Sequence, residues 1–186
     1  FNNNKSRIIL IAPTYRGQNK RHAHYPFDRL DMDRLYILCE ETDSKIIFKM
    51  HPFVTEAVPI PKQYGNRLFD LTSYPDINDL FYLTDLLITD YSSSIYEFSL
   101  LRKPMLFYAF DISEYTKERG LHRDYQENAP CKIVETFDSL INAIQKNNFE
   151  FERVDKYVSE NFDHTDTKAC ERIINWIIKG QLNKSS

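Results

Sequence analysis

Short apolar runs recur along the chain with amphipathic stretches between them. The runs are RIILIA at 7–12, KIIFKM at 45–50, LFDL at 68–71, LLIT at 86–89, MLFYA at 105–109 and KIVE at 132–135. Each is of strand length and nearly continuous, as for strands buried on both faces of a parallel sheet. Between the first two, residues 28–41 set Leu30, Leu35, Ile37 and Leu38 at helical spacing. Asp76 is placed to cap a helix carrying Ile77, Leu80, Phe81 and Leu83, and a helix over 93–102 stops ahead of Pro104. Residues 137–146 repeat the pattern with Leu140, Ile141 and Ile144, and the chain closes on helix bearing Ile173, Ile174, Trp176, Ile177 and Ile178. One domain over 1–182 accounts for the pattern, with 183–186 reading as a frayed tail.

Strand–helix alternation of this kind predicts an α/β fold with a doubly wound, Rossmann-like parallel sheet, in which ligands bind beyond the carboxyl ends of the strands. The polar residues that break the pattern lie just past those ends: Thr14 to Arg16, His51, Asp90 to Ser93, and Asp111. The topology therefore brings them to one edge.

Composition changes this picture little. With 186 residues, 42% hydrophobic and 27% charged, the chain suits one soluble globular domain. A net charge of −3 gives no reason to expect nucleic acid, although Arg16, Lys20, Arg21, His22 and His24 form a basic cluster suited to phosphate or to a solvated loop. Cys39, Cys131 and Cys170 are too far apart to suggest a disulfide framework or a zinc site, so no metal or cofactor is expected and the cytoplasm is the default compartment. The sequence holds no apolar run of about 18 residues and no basic-then-apolar leader, so neither a spanning helix nor a secretory signal is expected. Opening on Phe1 rather than Met, the chain reads as a piece of a longer polypeptide.

The candidate chemistry centres on ITDYSSSIYEF at 88–98. A buried strand that runs through Asp90 into Ser92, Ser93 and Ser94 and then into a helix aims unpaired N–H groups at whatever lies above it, which suits an anion. Serines and aspartates at such a turn equally serve as plain helix caps. His51, stiffened by Pro52 at a strand end, is placed to meet a phosphate or take a proton. The planar guanidinium of Arg16 suits a diphosphate, Glu97 lies one helical turn past Ser93 and suits ribose hydroxyls, and Arg119 stands beside Gly120 in a charge-rich segment read as a loop. Neither a G-x-G-x-x-G nor a G-x-x-x-x-G-K-S/T stretch is present, which removes the ordinary dinucleotide fingerprint and the P-loop.

APTYR at 12–16, KMHPF at 49–53, ITDYSSSIYEFSLLRKPMLFYAFD at 88–111, YTKERGLHRDY at 115–125 and NFDHTDTKACERI at 161–173 resemble, in order and spacing, the C-terminal half of the CDP-glycerol glycerophosphotransferases. These bacterial enzymes build teichoic acid and related polyol-phosphate polymers. The resemblance covers nearly the whole chain and is most specific at T-D-Y-S-S followed by L-x-K-P and F-Y-x-x-D. It implies the C-terminal, donor-binding half of a GT-B type glycosyltransferase fold. His51 matches a histidine implicated in catalysis or in stabilising the departing nucleotide. Ser92 and Ser93 match the phosphate loop, Arg16 and Arg119 match basic positions near the nucleotide, and Asp90 and Glu97 complete the expected donor-binding set. Glu97 stands where the family commonly has Asp, and Cys131 and His164 stand where it has Gly, which bears on local loop shape.

The reaction implied is transfer of polyol phosphate from CDP-glycerol or CDP-ribitol to an acceptor hydroxyl, with release of CMP and no cofactor. The acceptor would be a lipid-linked polyol-phosphate chain met at the inner face of the cell membrane. The family's base is a histidine in a Trp-His-Gly-Thr-Pro stretch of the N-terminal half, and this sequence has no such stretch. The chain is thus expected to bind donor and to be inactive alone. Another GT-B sugar-nucleotide glycosyltransferase would share the strand-end site, and a noncatalytic α/β interaction domain would share only the fold.

Overall fold

A computed structural model describes residues 6–120 and 123–180. Six strands fall on the six apolar runs: β1 Arg7–Ile11, β2 Ser44–Phe48, β3 Leu68–Asp70, β4 Leu86–Thr89, β5 Met105–Tyr108 and β6 Lys132–Val134. All pair in parallel, in the order β3-β2-β1-β4-β5-β6. The chain winds outward from β1 in one direction and, after crossing back, outward from β4 in the other. The order reverses between β1 and β4, and the crevice above that point is where such sheets take ligands.

Both faces of the sheet are covered, which is why the strand sequences are apolar throughout rather than alternating. Ile9, Ile11, Ile46, Phe48, Leu86 and Ile88 point to one side, under helices α1 Met32–Glu41 and α6 Phe137–Gln145. Leu10, Ile47, Leu87, Met105 and Phe107 point to the other, under α2 Ile77–Leu83, α3 Ser94–Ser99 and α7 Arg153–Asn161. Cys131 is fully buried in this second cluster, where its side chain fills core space.

Several local expectations are corrected. The first helix starts at Met32 rather than at residue 28, because the Asp31 carboxylate accepts the Arg34 N–H at 3.0 Å and caps it there, while Phe27–Arg29 form a single 3₁₀ turn. The helix expected over 93–102 is regular only over Ser94–Ser99. Beyond it the N–H groups of Leu101 and Arg102 bond three residues back, and Arg102 takes a φ of 49°. The segment after β5 is not a loop: it forms α4 Ile112–Arg119 and α5 Tyr125–Asn128. The last helix, α8 Ala169–Ile173, widens into a π turn over Ile174–Ile178. The proposed frayed tail at 183–186, like Leu121 and His122, lies outside the described residues.

Candidate functional site

Above the β1/β4 switch point lies a cleft of about 290 Å³, lined among others by His51, Asn78, Ser92, Ser93, Ser94 and Glu97. Its floor is fastened by backbone and side-chain bonds across the switch: Ala12 N–H donates to the Ile88 carbonyl at 2.9 Å, and the buried Thr89 hydroxyl donates to the Ala12 carbonyl at 2.8 Å. Four residues expected to carry function, His51, Ser92, Ser93 and Glu97, thus meet in one place.

The serine turn divides its labour. The Ser92 hydroxyl accepts the Ser94 N–H at 3.2 Å and lies 2.7 Å from the Ser94 hydroxyl, so Ser92 holds the first turn of α3. Ser93 makes no capping bond and is exposed, which leaves its hydroxyl to a ligand. With six residues α3 is short, so the expected helix-end field is small and the hydroxyls and local N–H groups must carry more of any anion binding.

His51 has a defined donor. Its Nδ1 lies 3.1 Å from the Phe53 N–H, which can only donate, so Nδ1 is an acceptor and a neutral ring carries its proton on Nε2. The ring is wedged between Tyr15 and Phe53, at centroid distances of 4.7 and 4.6 Å. Burial, reinforced by the positive charges of Lys49 and Arg119, lowers its pKa from the ordinary 6.5. A neutral imidazole so held offers a hydrogen-bond donor rather than a base. The folded chain binds this proton less readily than the unfolded chain, so His51 makes stability fall as pH drops below about 6.5. Urea midpoints measured from pH 5 to 7 are expected to rise less steeply for His51→Gln than for the parent, and parallel curves would show that the ring is not so constrained.

Arg16 and Asp90, expected at the donor, are both buried and bonded within the chain. Arg16 is 9% exposed and Asp90 1%. Arg16 Nε and Nη2 donate to the two carboxylate oxygens of Asp111 at 2.5 and 3.0 Å, and Nη1 donates to the Thr14 carbonyl at 2.6 Å. Asp90 Oδ2 lies 2.9 Å from Nη1 as an ion pair short of hydrogen-bonding alignment. Asp90 Oδ1 accepts the N–H groups of Thr14 and Tyr91 at 2.7 and 2.6 Å. Burial pushes the Asp90 carboxyl up, against the opposing pull of Arg16 and these two N–H groups. For Arg16 burial works against the charge, and the two carboxylates outweigh it and hold the guanidinium protonated. The rings of Tyr91, Phe110, Tyr115 and Tyr25 surround the cation at 5.2 to 5.9 Å.

Arg119 stands at the edge of this assembly. Its Nη2 donates to the Gly17 carbonyl, and its guanidinium lies 4.6 Å from the centre of the Tyr15 ring that packs on His51. Gly17 has a φ of 100°, and a Cβ there would meet the His22 carbonyl oxygen at 2.1 Å, so the basic loop that follows Arg16 can turn only on glycine. Among the described residues no group of three or more His, Cys, Asp or Glu could hold a metal, and no helix is long and apolar enough to cross a membrane.

Residues 2–179 match the model of the CDP-glycerol:poly(glycerophosphate) glycerophosphotransferase family. A teichoic acid poly(ribitol-phosphate) polymerase of Bacillus spizizenii is 43% identical over 173 residues, 92% of this chain and 28% of that protein. The teichoic acid ribitol-phosphate polymerase TarK of Staphylococcus aureus is 39% identical over 168 residues, 90% of this chain and 33% of that protein. The wall teichoic acid polymerase TagF superposes with a TM-score of 0.71 at 28% identity, over 94% of this chain and 44% of that one. A TagF variant soaked with CDPG gives 0.69. The chain spans about a third of the length of the curated relatives it matches. By family model, identity and fold alike, the chain belongs to the CDP-glycerol:poly(glycerophosphate) glycerophosphotransferase family.

Proposed function

We propose that this chain is the C-terminal, donor-binding part of an enzyme that transfers polyol phosphate from a CDP-activated donor to an acceptor hydroxyl. The observation that carries the reading is the meeting of His51, with its Nε2–H, the free Ser93 hydroxyl and Glu97 in one cleft at the switch point. The diphosphate sits on the Ser92–Ser94 turn, and Glu97 receives ribose hydroxyls. The acceptor oxygen attacks the polyol-phosphate phosphorus, a new P–O bond forms, and the bond to the CMP oxygen breaks. His51 Nε2–H donates to the phosphate whose charge grows as CMP leaves, a role for a preorganised donor. The proton of the attacking hydroxyl goes to a base outside this chain. A lipid-linked polyol-phosphate acceptor and placement at the inner membrane face belong to the same proposal.

Ser92→Ala with Ser93→Ala tests the placement. Calorimetry is expected to show CDP affinity falling about tenfold to a hundredfold while cytidine, which lacks the diphosphate, is nearly unaffected. Equal losses for both ligands would remove the serines from the phosphates.

Ribitol is a second reading for the transferred group, because relatives at 43% and 39% identity are named ribitol-phosphate polymerases. Thermal shifts with CDP-glycerol and CDP-ribitol separate the two, since the tighter ligand raises the melting temperature more at equal concentration. A larger shift with UDP or GDP would instead indicate another sugar-nucleotide enzyme, and no shift with any nucleotide an interaction domain.

A further inference from the structure

Arg16 is the basic residue nearest in sequence to the switch point, yet it is not among the groups that line the cleft. Its guanidinium is held within its own chain by three hydrogen bonds and a further ion pair. One side of the planar fork is held by both oxygens of Asp111, after β5, and Nη1 sits between the Thr14 carbonyl, after β1, and Asp90, after β4. Three strand exits are therefore joined through one cation. The joint continues into the serine turn, because the Tyr91 hydroxyl donates to Asp111 Oδ1 at 3.0 Å while the Tyr91 N–H bonds Asp90. The Tyr91 ring is fixed on its other side by stacking on Tyr115, at 3.8 Å and 17°. Tyr91 is the residue immediately before Ser92.

We propose that Arg16, Asp90, Asp111 and Tyr91 form a positioning clasp that holds the Ser92–Ser94 turn in its ligand-ready shape, and that Arg16 serves the donor through this clasp without touching it. The inference rests on the reading of the serine turn as the diphosphate site. Two geometric facts support it. Asp90 is bound by the turn's own first N–H, so any shift of Asp90 moves the backbone that leads into Ser92. The Asp111 carboxylate grips both Nε and Nη2 of Arg16 in a planar, bidentate geometry that lysine cannot reproduce. Burial of such a group is ordinarily unfavourable, and the bidentate carboxylate of Asp111, the charge of Asp90 and the surrounding rings offset it here.

The clasp is tested with Tyr91→Phe, which removes one hydroxyl and keeps the stacked ring, and with Arg16→Lys, which keeps the charge and loses the fork. Both are titrated with CDP and with cytidine. Each is expected to weaken CDP about five- to tenfold and to leave cytidine within about twofold. In the Ser92→Ala, Ser93→Ala background, Tyr91→Phe is expected to have no further effect on CDP, since its influence passes through those serines. Full CDP affinity in Tyr91→Phe or in Arg16→Lys, or an effect that adds to the serine changes, would overturn the proposal. Hydrogen exchange in the absence of ligand keeps the clasp separable from the donor reading. The Ser93, Ser94 and Ile95 amides are expected to exchange faster in Tyr91→Phe than in the parent, and unchanged rates would refute the clasp even if the chain bound no nucleotide at all.

Discussion

Asp90→Ala is expected to destabilise the chain by about 2–4 kcal/mol, roughly the cost of leaving two inward N–H groups without an acceptor while Arg16 keeps Asp111. The substitution removes an ion-pair partner of Arg16 and, in the same step, the carboxylate oxygen that accepts both the Thr14 and Tyr91 N–H groups. Against a typical domain stability of about 5–15 kcal/mol this leaves little margin. Urea denaturation should show a lower midpoint with an unchanged slope, which distinguishes lost stability from a changed denatured state. Asp90→Asn, which can still accept the two N–H groups, is expected to fall between parent and Ala. A loss below about 1 kcal/mol for Ala would mean that water or rearranged neighbours replace the carboxylate.

His51→Ala is expected to act on turnover rather than on folding. In a polypeptide of the relatives' full length that carries this chain, CMP release should slow about 10²–10³-fold, the usual effect of removing one preorganised donor to developing charge. The melting temperature should move by only a few degrees, since the ring sits at the cleft and not in either core. His51→Gln discriminates between roles. Its amide can donate a hydrogen bond but cannot accept a proton, so activity above that of Ala supports the Nε2–H donor, and activity equal to Ala points to proton transfer instead.

The sheet was legible because its strands are buried on both faces, and continuous apolar runs such as those at 7–12 and 86–89 carry that signature without reference to the rest of the chain. The meeting of His51, Ser92, Ser93 and Glu97 in one cleft followed from the same logic, since all four lie just past strand ends or one helical turn beyond. Helices α4 and α5 were not legible: α4 buries none of its residues, so its sequence lacks the apolar stripe that marks a helix. The contacts of Arg16 and Asp90 were not legible for a different reason. Sequence shows that a strand ends in a charge but not whether that charge faces a ligand or a second charge 95 residues away, as Arg16 faces Asp111. Asp111 stood at a strand end and Tyr91 within the T-D-Y-S-S stretch, yet nothing local marks them as partners.

The switch point has a consequence for biosynthesis. Ala12 waits for Thr89, 77 residues later, and Arg16 waits for Asp111, 95 residues later. At translation rates of about 5–20 residues per second, roughly five to twenty seconds separate the synthesis of Arg16 from that of Asp111. For most of that interval the nascent chain can pair β1 with β2 but lacks the serine turn and Glu97, and until Asp111 is made the Arg16 guanidinium has no bidentate partner. A product truncated before Asp111 leaves the Arg16 fork without its bidentate partner and has no clasp to close.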